Sequence, residues 1–222
     1  MRLFRKKNRR KLTAVLYPDI CPYCREVINH EDFACEKCRK KFKDITYKRY
    51  AKGGYPCVSA APYDDFYATA IRAFKFHDMK QFDYQFALSM AKVIKDSYQD
   101  TDFDFITFVP LHRKRLKERG YNQSELLAIC LSEILNIPCI ETLIKTRNTK
   151  PQHKVKGRKR AANVKGAYKA IDKEAVINKT ILLIDDIITT GNTLGECAKT
   201  LGYHHSTKIY CATFAETQTK TT

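Results

Sequence analysis

The sequence predicts an α/β fold, in which a mostly parallel sheet carries helices on both faces and a small four-cysteine zinc finger precedes it. Two observations support this prediction. From about residue 56 onward, apolar runs of strand length alternate with longer segments of helical periodicity, as in parallel sheets with helical connections. Before that point, four cysteines form two Cys-x-x-Cys pairs within one short basic segment, which is the spacing of a zinc site.

The length of 222 residues allows one ordinary domain with a proper core and a small appendage. No apolar run approaches the ~20 residues that a membrane span needs. Met1 to Lys11 is basic, but the apolar stretch that follows it, Leu12 to Tyr17, is shorter than the ~7 residues of a signal-peptide core. We therefore expect a cytoplasmic protein.

The formal net charge of +17 points to an anionic partner. Nucleic acid is the commonest match, and an anionic membrane surface, bound peripherally, is the next. A generally basic proteome also stays open. Two blocks without any carboxylate carry much of the excess, as expected of an anion-binding surface: Met1 to Pro18 and Thr142 to Ile171.

Composition suggests three segments along the chain. Residues 1–55 are basic, bear the cysteine pairs, lack apolar periodicity and end at Gly53-Gly54, so we expect a separate unit there. Residues 56–215 carry the α/β pattern. Residues 216–222 form a polar tail that we expect to be disordered.

The paired cysteines Cys21, Cys24, Cys35 and Cys38 can supply four thiolates from two tight turns to a tetrahedral Zn²⁺. Because all four positions would be filled by protein, the predicted zinc is structural. Two disulfides or redox thiols are the alternative, which a cytoplasmic setting disfavours. The remaining cysteines lie in apolar surroundings and are interpreted as small core residues: Cys57, Cys130, Cys139, Cys197 and Cys211.

The α/β segment begins with a predicted strand over Pro56 to Ala61 and two helices. Apolar positions Phe66, Ala70, Ile71 and Phe74 mark the first helical face. The later predicted elements are a helix over Phe82 to Tyr98, a strand over Phe103 to Val109, a helix over Asn122 to Leu135, a possible strand over Cys139 to Ile144, a mobile loop over Lys145 to Asn163, a strand over Thr180 to Ile184, a helix over Thr193 to Leu201 and a strand over Lys208 to Phe214.

The predicted strand over Thr180 to Ile184 leads into two carboxylates, Asp185 and Asp186, and then into a threonine-rich turn that opens a helix. Hydroxyls and N–H groups at a helix N-terminus bind anions such as a 5′-phosphate, and the two carboxylates can accept hydrogen bonds from sugar hydroxyls. An acidic helix cap would explain the carboxylates but not the threonines. The predicted ligand-binding residues are Asp185, Asp186, Thr189, Thr190, Gly191, Asn192 and Thr193.

This segment closely resembles the phosphoribosyl-pyrophosphate (PRPP) signature of type I phosphoribosyltransferases, a resemblance that implies PRPP with Mg²⁺ as ligand. Asp185 and Asp186 are then also the catalytic candidates, and the fold expected for the α/β segment is that of this superfamily. One departure bears on function. Purine-salvage members place a carboxylate, acting as general base, where this chain has Thr189, so the resemblance does not extend to purine salvage.

A second group of residues could hold the departing pyrophosphate. His112 and Arg113 follow the predicted strand that ends at Val109, although a lone histidine in such a turn is more often an ordinary surface residue. Within the predicted mobile loop, Gln152, Arg158 or Arg160 could close over the site and supply positive charge.

The order of motifs along the chain resembles the ComF family of competence proteins. After the four-cysteine finger come Arg119-Gly120-Tyr121-Asn122-Gln123, then Gln152 with Arg160, then Asn163-Val164-x-Gly166-Ala167-Tyr168, and finally Asp185 to Thr193. The resemblance covers about Leu16 to Phe214. It implies a role in natural transformation, alongside single-stranded DNA and a DNA-translocating helicase.

Three functions stay open at this point. The first is a DNA-uptake protein that binds single-stranded DNA and PRPP; the second is a phosphoribosyltransferase of nucleotide salvage or metabolism with an unknown acceptor. A zinc-finger regulator that senses PRPP is weaker, because a single finger offers no evident groove-reading helix. Aromatic residues interleaved with lysines could stack bases or could simply pack around the finger: Phe42, Tyr47, Tyr50 and Tyr55.

Overall fold

The computed structural model describes residues 2–4, 18–43, 45–76, 79–149, 159–202 and 207–217. The strands are β1 (Arg2–Phe4), β2 (Tyr47–Ala51), β3 (Tyr55–Pro62), β4 (Phe105–Phe108), β5 (Cys139–Glu141), β6 (Leu143–Lys145), β7 (Tyr168–Ala170), β8 (Thr180–Ile188) and β9 (Lys208–Glu216). The helices are α1 (Glu36–Arg39), α2 (Asp65–Phe76), α3 (Asp83–Ser97), α4 (Arg113–Arg119), α5 (Gln123–Leu135), α6 (Lys159–Val164) and α7 (Asn192–Leu201), with 3₁₀ turns at Lys80–Phe82 and Glu174–Val176.

Seven strands form the main sheet in the order β1-β5-β4-β8-β9-β3-β2. The five inner strands, from β5 to β3, run parallel, whereas β1 and β2 add to the two edges in antiparallel fashion. Strands β6 and β7 make a separate antiparallel pair. The predicted α/β class with a mostly parallel sheet is confirmed.

The central strand β8 shows why helices cover both faces. Its residues Ile181, Leu182, Leu183 and Ile184 are all fully buried. Successive side chains of a strand point to opposite faces. Leu182 and Ile184 accordingly join the core with α2, α3 and α5, and Ile181 and Leu183 join the core with α7. Each such buried aliphatic side chain contributes about 1.5–3 kcal/mol, so β8 needs a helical layer on each side.

Helix α5 is fixed to the end of β4 by its N-cap. The side chain of Asn122 accepts from the N–H of Ser124 at 3.2 Å and donates to the carbonyl of Val109 at 3.0 Å. One side chain therefore satisfies a free helix amide and ties the helix to the strand whose end it follows. The predicted helix over Asn122 to Leu135 agrees with α5 and this cap.

The possible strand over Cys139 to Ile144 is divided in the structure into β5 and β6, which belong to different sheets. Thr142 lies between them, fully buried, with its hydroxyl 2.7 Å from that of Thr107 on β4. Its carbonyl accepts from the N–H of Ile171 at 2.9 Å, just beyond β7. The chain leaves the main sheet at Thr142 because its backbone pairs with the β7 segment instead.

Six of the helices and strands are absent from the sequence-based prediction: β1, β2, β7, α1, α4 and α6. The edge strands β1 and β2 lie in the basic N-terminal segment, which was interpreted as lacking apolar periodicity. Helix α4 replaces a predicted basic turn, and it ends at Gly120 in the left-handed conformation with φ 79°. Helix α6 lies at the end of the predicted mobile loop, of which residues 150–158 fall outside the described ranges.

The cysteine-bearing segment packs on helix α2 through aromatic rings. Tyr23 stacks on Phe66 with 4.7 Å between ring centroids, and Phe42 meets Tyr67 edge-to-face at 5.2 Å. Tyr23 and Phe42 also contact each other at 5.2 Å. Such pairs add about 0.5–1.5 kcal/mol each beyond area burial, so α2 gives this segment an apolar surface to rest on.

Candidate functional site

The two strands at the centre of the sheet, β4 and β8, have connections that leave in opposite directions. From β4 the chain passes through α5 to β5 on one side, and from β8 it passes through α7 to β9 on the other. The two helices lie on opposite faces. Ligands of open α/β sheets bind at the carboxyl ends of strands where the order reverses in this way. The predicted ligand residues from Asp185 to Thr193 lie at this switch point.

Strand β8 continues further than predicted, as far as Ile188. It does so because β9 pairs with it past the acidic residues, with Asp185 opposite Thr213 and Ile188 opposite Glu216. On its other side, β4 pairs only as far as Ile184. The acidic pair is therefore held rigidly by β9 while its β4 side faces the switch-point crevice.

Each carboxylate of the pair has a partner in the structure. Asp185 Oδ1 accepts from the Ser124 hydroxyl at 2.8 Å and from the N–H of Asp186 at 2.9 Å. Asp186 Oδ2 lies 2.8 Å from Lys75 Nζ, in an ion pair whose side chains are 14% and 20% exposed. Helix α5 thus positions one carboxylate and the end of α2 positions the other.

The pKa of Asp185 is raised to about 7, chiefly because its carboxyl is removed from water and next because the Asp186 carboxylate lies beside it. The Ser124 hydrogen bond and the Lys75 charge act in the opposite direction. A hydroxyl donor or a cation at this carboxyl favours the ionised form. Binding of such a ligand would therefore release a proton near neutral pH.

The turn after β8 is shaped by Gly191, the N-cap of α7, whose φ is 69°. A Cβ on this residue would lie 2.9 Å from the Cα of Ala51, so the backbone of the β2–β3 hairpin touches the turn. The N–H of Lys52 donates to the Gly191 carbonyl at 3.2 Å, and Asn192 Nδ2 donates to the Thr190 hydroxyl at 2.7 Å. The helix amides at this N-terminus are oriented as an anion site requires.

A second glycine shows how tightly the hairpin holds this turn. A Cβ on Gly195, in the first turn of α7, would lie 2.1 Å from the Lys52 carbonyl oxygen. Only glycine admits that approach. The hairpin that begins in the predicted N-terminal unit therefore packs directly on the predicted phosphate loop.

The segment that contains Gln152, Arg158 and Arg160 is held by hydrogen bonds at its two ends. The guanidinium of Arg147 donates to the Lys165 carbonyl at 2.5 Å, and the N–H of Gly166 donates to Glu196 of α7 at 2.6 Å. These contacts join the two ends of the segment to each other and tie its C-terminal end to α7. Gln152 and Arg158 lie outside the described residues; Arg160 lies in α6, without a described side chain.

His112 and Arg113 lie just past β4, at the start of α4. His112 is the N-cap, and its Nδ1 accepts from the N–H of Lys114 at 3.3 Å, which is the ordinary structural role of a cap. Arg113 is exposed. The structure thus places both on the β4 side of the switch point, and their role toward pyrophosphate stays a prediction.

Two basic residues near the acidic pair, Arg119 and Lys145, were not among the predicted site residues. The pKa of Arg119 is lowered by burial, which the charge of Asp186 partly offsets. Burial also lowers the pKa of Lys145, with Asp185 among the charges acting against it. Lys75 and Ser124, which contact the pair directly, were likewise missed as site residues. Ser124 adjoins the Asn122-Gln123 motif, which was the available signal; no pattern in the sequence marks Lys75.

The four predicted metal ligands meet at the N-terminal segment. Their Sγ atoms lie within 4.8 Å of one another, and those of Cys24 and Cys35 are 3.4 Å apart. Cys24 is exposed, whereas Cys21, Cys35 and Cys38 are buried. Burial raises the pKa of Cys35 and of Cys38, so a cation is needed to hold them as thiolates. The four-sulfur set fits a tetrahedral metal ion.

The backbone forms a tight knuckle around the first cysteine pair. The N–H of Cys21 donates to the Glu26 carbonyl at 2.7 Å, and Arg25 has a left-handed φ of 69°. Among the residues that the structure describes, this is the one group of metal-ligand type. The interpretation of the other five cysteines as core residues is confirmed, since all are buried: Cys57, Cys130, Cys139, Cys197 and Cys211.

The aromatic residues considered for base stacking have different environments. Phe42 packs in the aromatic cluster against α2, and Tyr55 packs against the core beneath α7. Tyr47 is partly buried, whereas Tyr50 on edge strand β2 is 70% exposed. Packing therefore explains Phe42 and Tyr55, and Tyr50 presents most of its ring to solvent.

Comparison with known proteins places this site in a wider context. The phosphoribosyl transferase domain family matches residues 123–222, which include both α5 and the acidic pair. No helix within the described ranges is long and apolar enough to cross a membrane.

Relatives cover more of the chain than the domain family does. The chain is 28% identical over 205 residues to Competence protein F of Haemophilus influenzae, covering 82% of this chain and 90% of that protein. It is 28% identical over 186 residues to DNA utilization protein YhgH of Escherichia coli K12, covering 82% and 77%. It is 29% identical over 184 residues to Competence protein ComFC of Bacillus subtilis, covering 82% and 71%.

Proposed function

We propose, on the premise that this chain belongs to the ComF family and carries its phosphoribosyltransferase domain, that it acts in DNA uptake by binding single-stranded DNA and Mg²⁺–PRPP. The names of its relatives, which refer to competence and DNA utilization, support the uptake role. The observation that carries PRPP as ligand is the acidic pair at the switch point, followed by a threonine-glycine turn at a helix N-terminus.

In this proposal different residues of the site bind different parts of PRPP. Asp185 and Asp186 accept hydrogen bonds from the ribose hydroxyls. The 5′-phosphate lies in the turn formed by Thr189, Thr190, Gly191, Asn192 and Thr193, where free amides and the helix dipole favour an anion.

The pyrophosphate lies on the β4 side of the switch point, near His112 and Arg113, and Mg²⁺ neutralises part of its charge when bound. The contacts of Arg147 and Gly166 hold the two ends of the segment that contains Gln152, Arg158 and Arg160. We propose that this segment closes over the site when the ligand binds. Closure would exclude water and add positive charge where pyrophosphate departs.

The four-cysteine cluster is proposed to hold a structural Zn²⁺. Four sulfur ligands leave no open position, and the buried core of the segment contains little besides the cysteines themselves, with Ala34. Such a segment depends on its ion for folding.

The charge of the chain supports single-stranded DNA as the partner. Backbone contacts by lysine and arginine supply most of the affinity of proteins that bind single strands without sequence preference. Exposed Tyr50, with its neighbour Arg49 on edge strand β2, is available for stacking. A DNA-translocating helicase is the proposed protein partner within the uptake machinery.

A phosphoribosyltransferase of salvage or metabolism is the second candidate, favoured by the acidic pair and the threonine-glycine turn at the switch point. Thr189 stands where purine-salvage enzymes carry a base, which weighs against purines as acceptors. Release of pyrophosphate from PRPP upon addition of a nucleobase would support this candidate over a binding role.

Isothermal titration with PRPP in the presence and absence of Mg²⁺ tests the proposed ligand. The Asp185→Asn, Asp186→Asn double variant should lose Mg²⁺-dependent binding while its circular dichroism stays unchanged. The control is Asp96→Asn with Asp100→Asn, which removes two exposed carboxylates. This control variant should bind Mg²⁺–PRPP as the wild type does. Equal binding by all three proteins would reject the assignment.

A further inference from the structure

A cavity of about 590 Å³ lies beside the acidic pair and has no assigned ligand. Its wall contains five basic side chains and one carboxylate: Lys75, Lys80, Arg115, Lys117, Arg119 and Glu118. Its volume is in the range of ~300–1,000 Å³ that is common for ligand sites. A wall with this excess of positive charge selects a ligand that carries several negative charges.

The cavity is distinct from the proposed PRPP contacts. Of the described residues that line it, none belongs to the 5′-phosphate turn or to the pyrophosphate candidates near the end of β4. It is built instead from the last turn of α2, the 3₁₀ turn after it, and helix α4. It also lies outside the two basic blocks that the sequence marks as anion-binding.

The walls are held in place by the junction between α4 and α5. The hydroxyl of Tyr121 donates to the Phe74 carbonyl, and the amide of Gln123 donates to the same carbonyl at 3.5 Å. Arg119 donates to the side chain of Gln123 at 2.6 Å. These bonds fix α4 against the end of α2, so the basic groups on the two elements face one space.

The chemistry of the wall favours phosphates over bases. Tyr121 is only 7% exposed, and its ring already lies 4.9 Å from Lys80 Nζ, so the cavity offers no open aromatic face for stacking. Arginine forks and lysine ammonium groups are the usual partners of phosphate oxygens, and such contacts carry no sequence information.

We infer that this cavity binds the phosphodiester backbone of a single DNA strand, next to the sugar-phosphate site. The inference rests on the proposed function, whose DNA site it locates. Lys75 joins the two sites, since it lines the cavity and pairs with Asp186 at 2.8 Å. The pyrophosphate of a bound PRPP shares the phosphate chemistry of the strand, so the experiment must separate these two sources.

Fluorescence anisotropy of a fluorescein-labelled oligothymidylate, titrated onto the full chain over a range of salt, tests the inference. The cavity variant is Lys80→Gln with Lys117→Gln, two exposed lysines. Its affinity for the oligonucleotide should fall about tenfold at physiological salt. The negative slope of log K against log salt should become less steep by about 0.7 for each phosphate contact removed. The control, Lys95→Gln with Lys199→Gln on the exposed faces of α3 and α7, removes the same charge and should keep the wild-type slope.

Other results would contradict the inference or the proposed function. Equal losses in the two variants would show that net charge alone matters and would reject the cavity as the strand site. If inorganic pyrophosphate and PRPP lose affinity in the cavity variant while the oligonucleotide does not, the cavity belongs to pyrophosphate and the inference is wrong. A wild-type chain that binds no oligonucleotide would reject the DNA part of the proposed function together with the inference, whereas wild-type binding that the cavity variant retains would reject the inference alone.

Discussion

The four-cysteine cluster and the acidic pair are built on very different supports. The cysteine segment has a buried core of four residues, three of them cysteines, and otherwise rests on the aromatic rings of α2. The acidic pair follows a strand with four fully buried residues at the centre of a seven-stranded sheet. The proposed ion would therefore supply the folding energy that the cysteine segment lacks, whereas packing alone shapes the acidic pair.

The largest expected effect tests the ion-dependent side of the comparison. Replacing Cys21 and Cys38 by serine should release the metal and unfold residues 18–43, because structural zinc contributes about 10 kcal/mol or more in small finger peptides. Metal content by atomic absorption and hydrogen exchange across the chain would show this. Cys130→Ala, which removes a buried thiol of the main core, should keep its metal. Stoichiometric zinc in the double variant would mean that other residues are the ligands.

The next effect tests how far packing alone shapes the phosphate turn. Gly191→Ala should destabilise the protein by about 3 kcal/mol in urea unfolding, because it combines a strained φ with a contact to the Ala51 backbone. Gly166 has a similar φ of 65°, but a Cβ added there would meet nothing within 4 Å, so Gly166→Ala should cost about 1 kcal/mol. Equal costs would show that the hairpin does not hold the turn.

A smaller effect on stability is expected from removing one charge of the acidic pair. Asp185→Asn should stabilise the unliganded protein at neutral pH by about 1–2 kcal/mol, since it removes a partly buried charge beside another carboxylate. The raised pKa of Asp185 means that the cost of ionising it is absent below about pH 4, grows as the pH rises, and is complete above about 7. Thermal melts of the variant and the wild type should therefore converge in acid.

Asp104 provides the opposite case for the same melts. Hydrogen bonds from the Thr180 N–H and from Lys179 lower the pKa of Asp104. Its stabilising contribution is present above the unfolded pKa and is lost as the pH falls. Asp104→Asn should lower the melting temperature at neutral pH. A lower melting temperature in both variants would contradict the assigned environment of Asp185, and a higher one in both would contradict that of Asp104.

The smallest effect is expected at Ser124. Loss of its hydroxyl in Ser124→Ala removes a hydrogen bond to ionised Asp185, so the pKa of Asp185 should rise further. Mg²⁺–PRPP affinity at pH 7 should fall about fivefold, which corresponds to ~1 kcal/mol, and should recover as the pH is raised. Ser132→Ala on the same helix is the control. A loss that persists at high pH would point to altered packing instead of altered ionisation.

Much of the fold could be predicted because the sequence patterns that indicate its strands, helices and cysteine cluster are local. The apolar run over Thr180 to Ile184, the cysteine spacing and the helical face of α5 each show their structure within a short window. Both edge strands and α4 were missed because they are short and basic, and β1 in addition pairs with β5, which lies more than a hundred residues later in the chain. The Cys139 to Ile144 run was misinterpreted because only the neighbouring β7 determines where the chain leaves the sheet.

The sequence by itself determined which groups are candidates for chemistry: the acidic pair, the threonine-glycine turn and the four cysteines, since their residue types and spacing are those of sugar-phosphate and metal sites. Only the tertiary structure decided what surrounds them. Lys75 reaches Asp186 from a helix more than a hundred residues earlier, Ser124 reaches Asp185 from another, and the hairpin closes on Gly191. Those contacts depend on which strands lie side by side in the sheet, and that order is a property of the whole packed core.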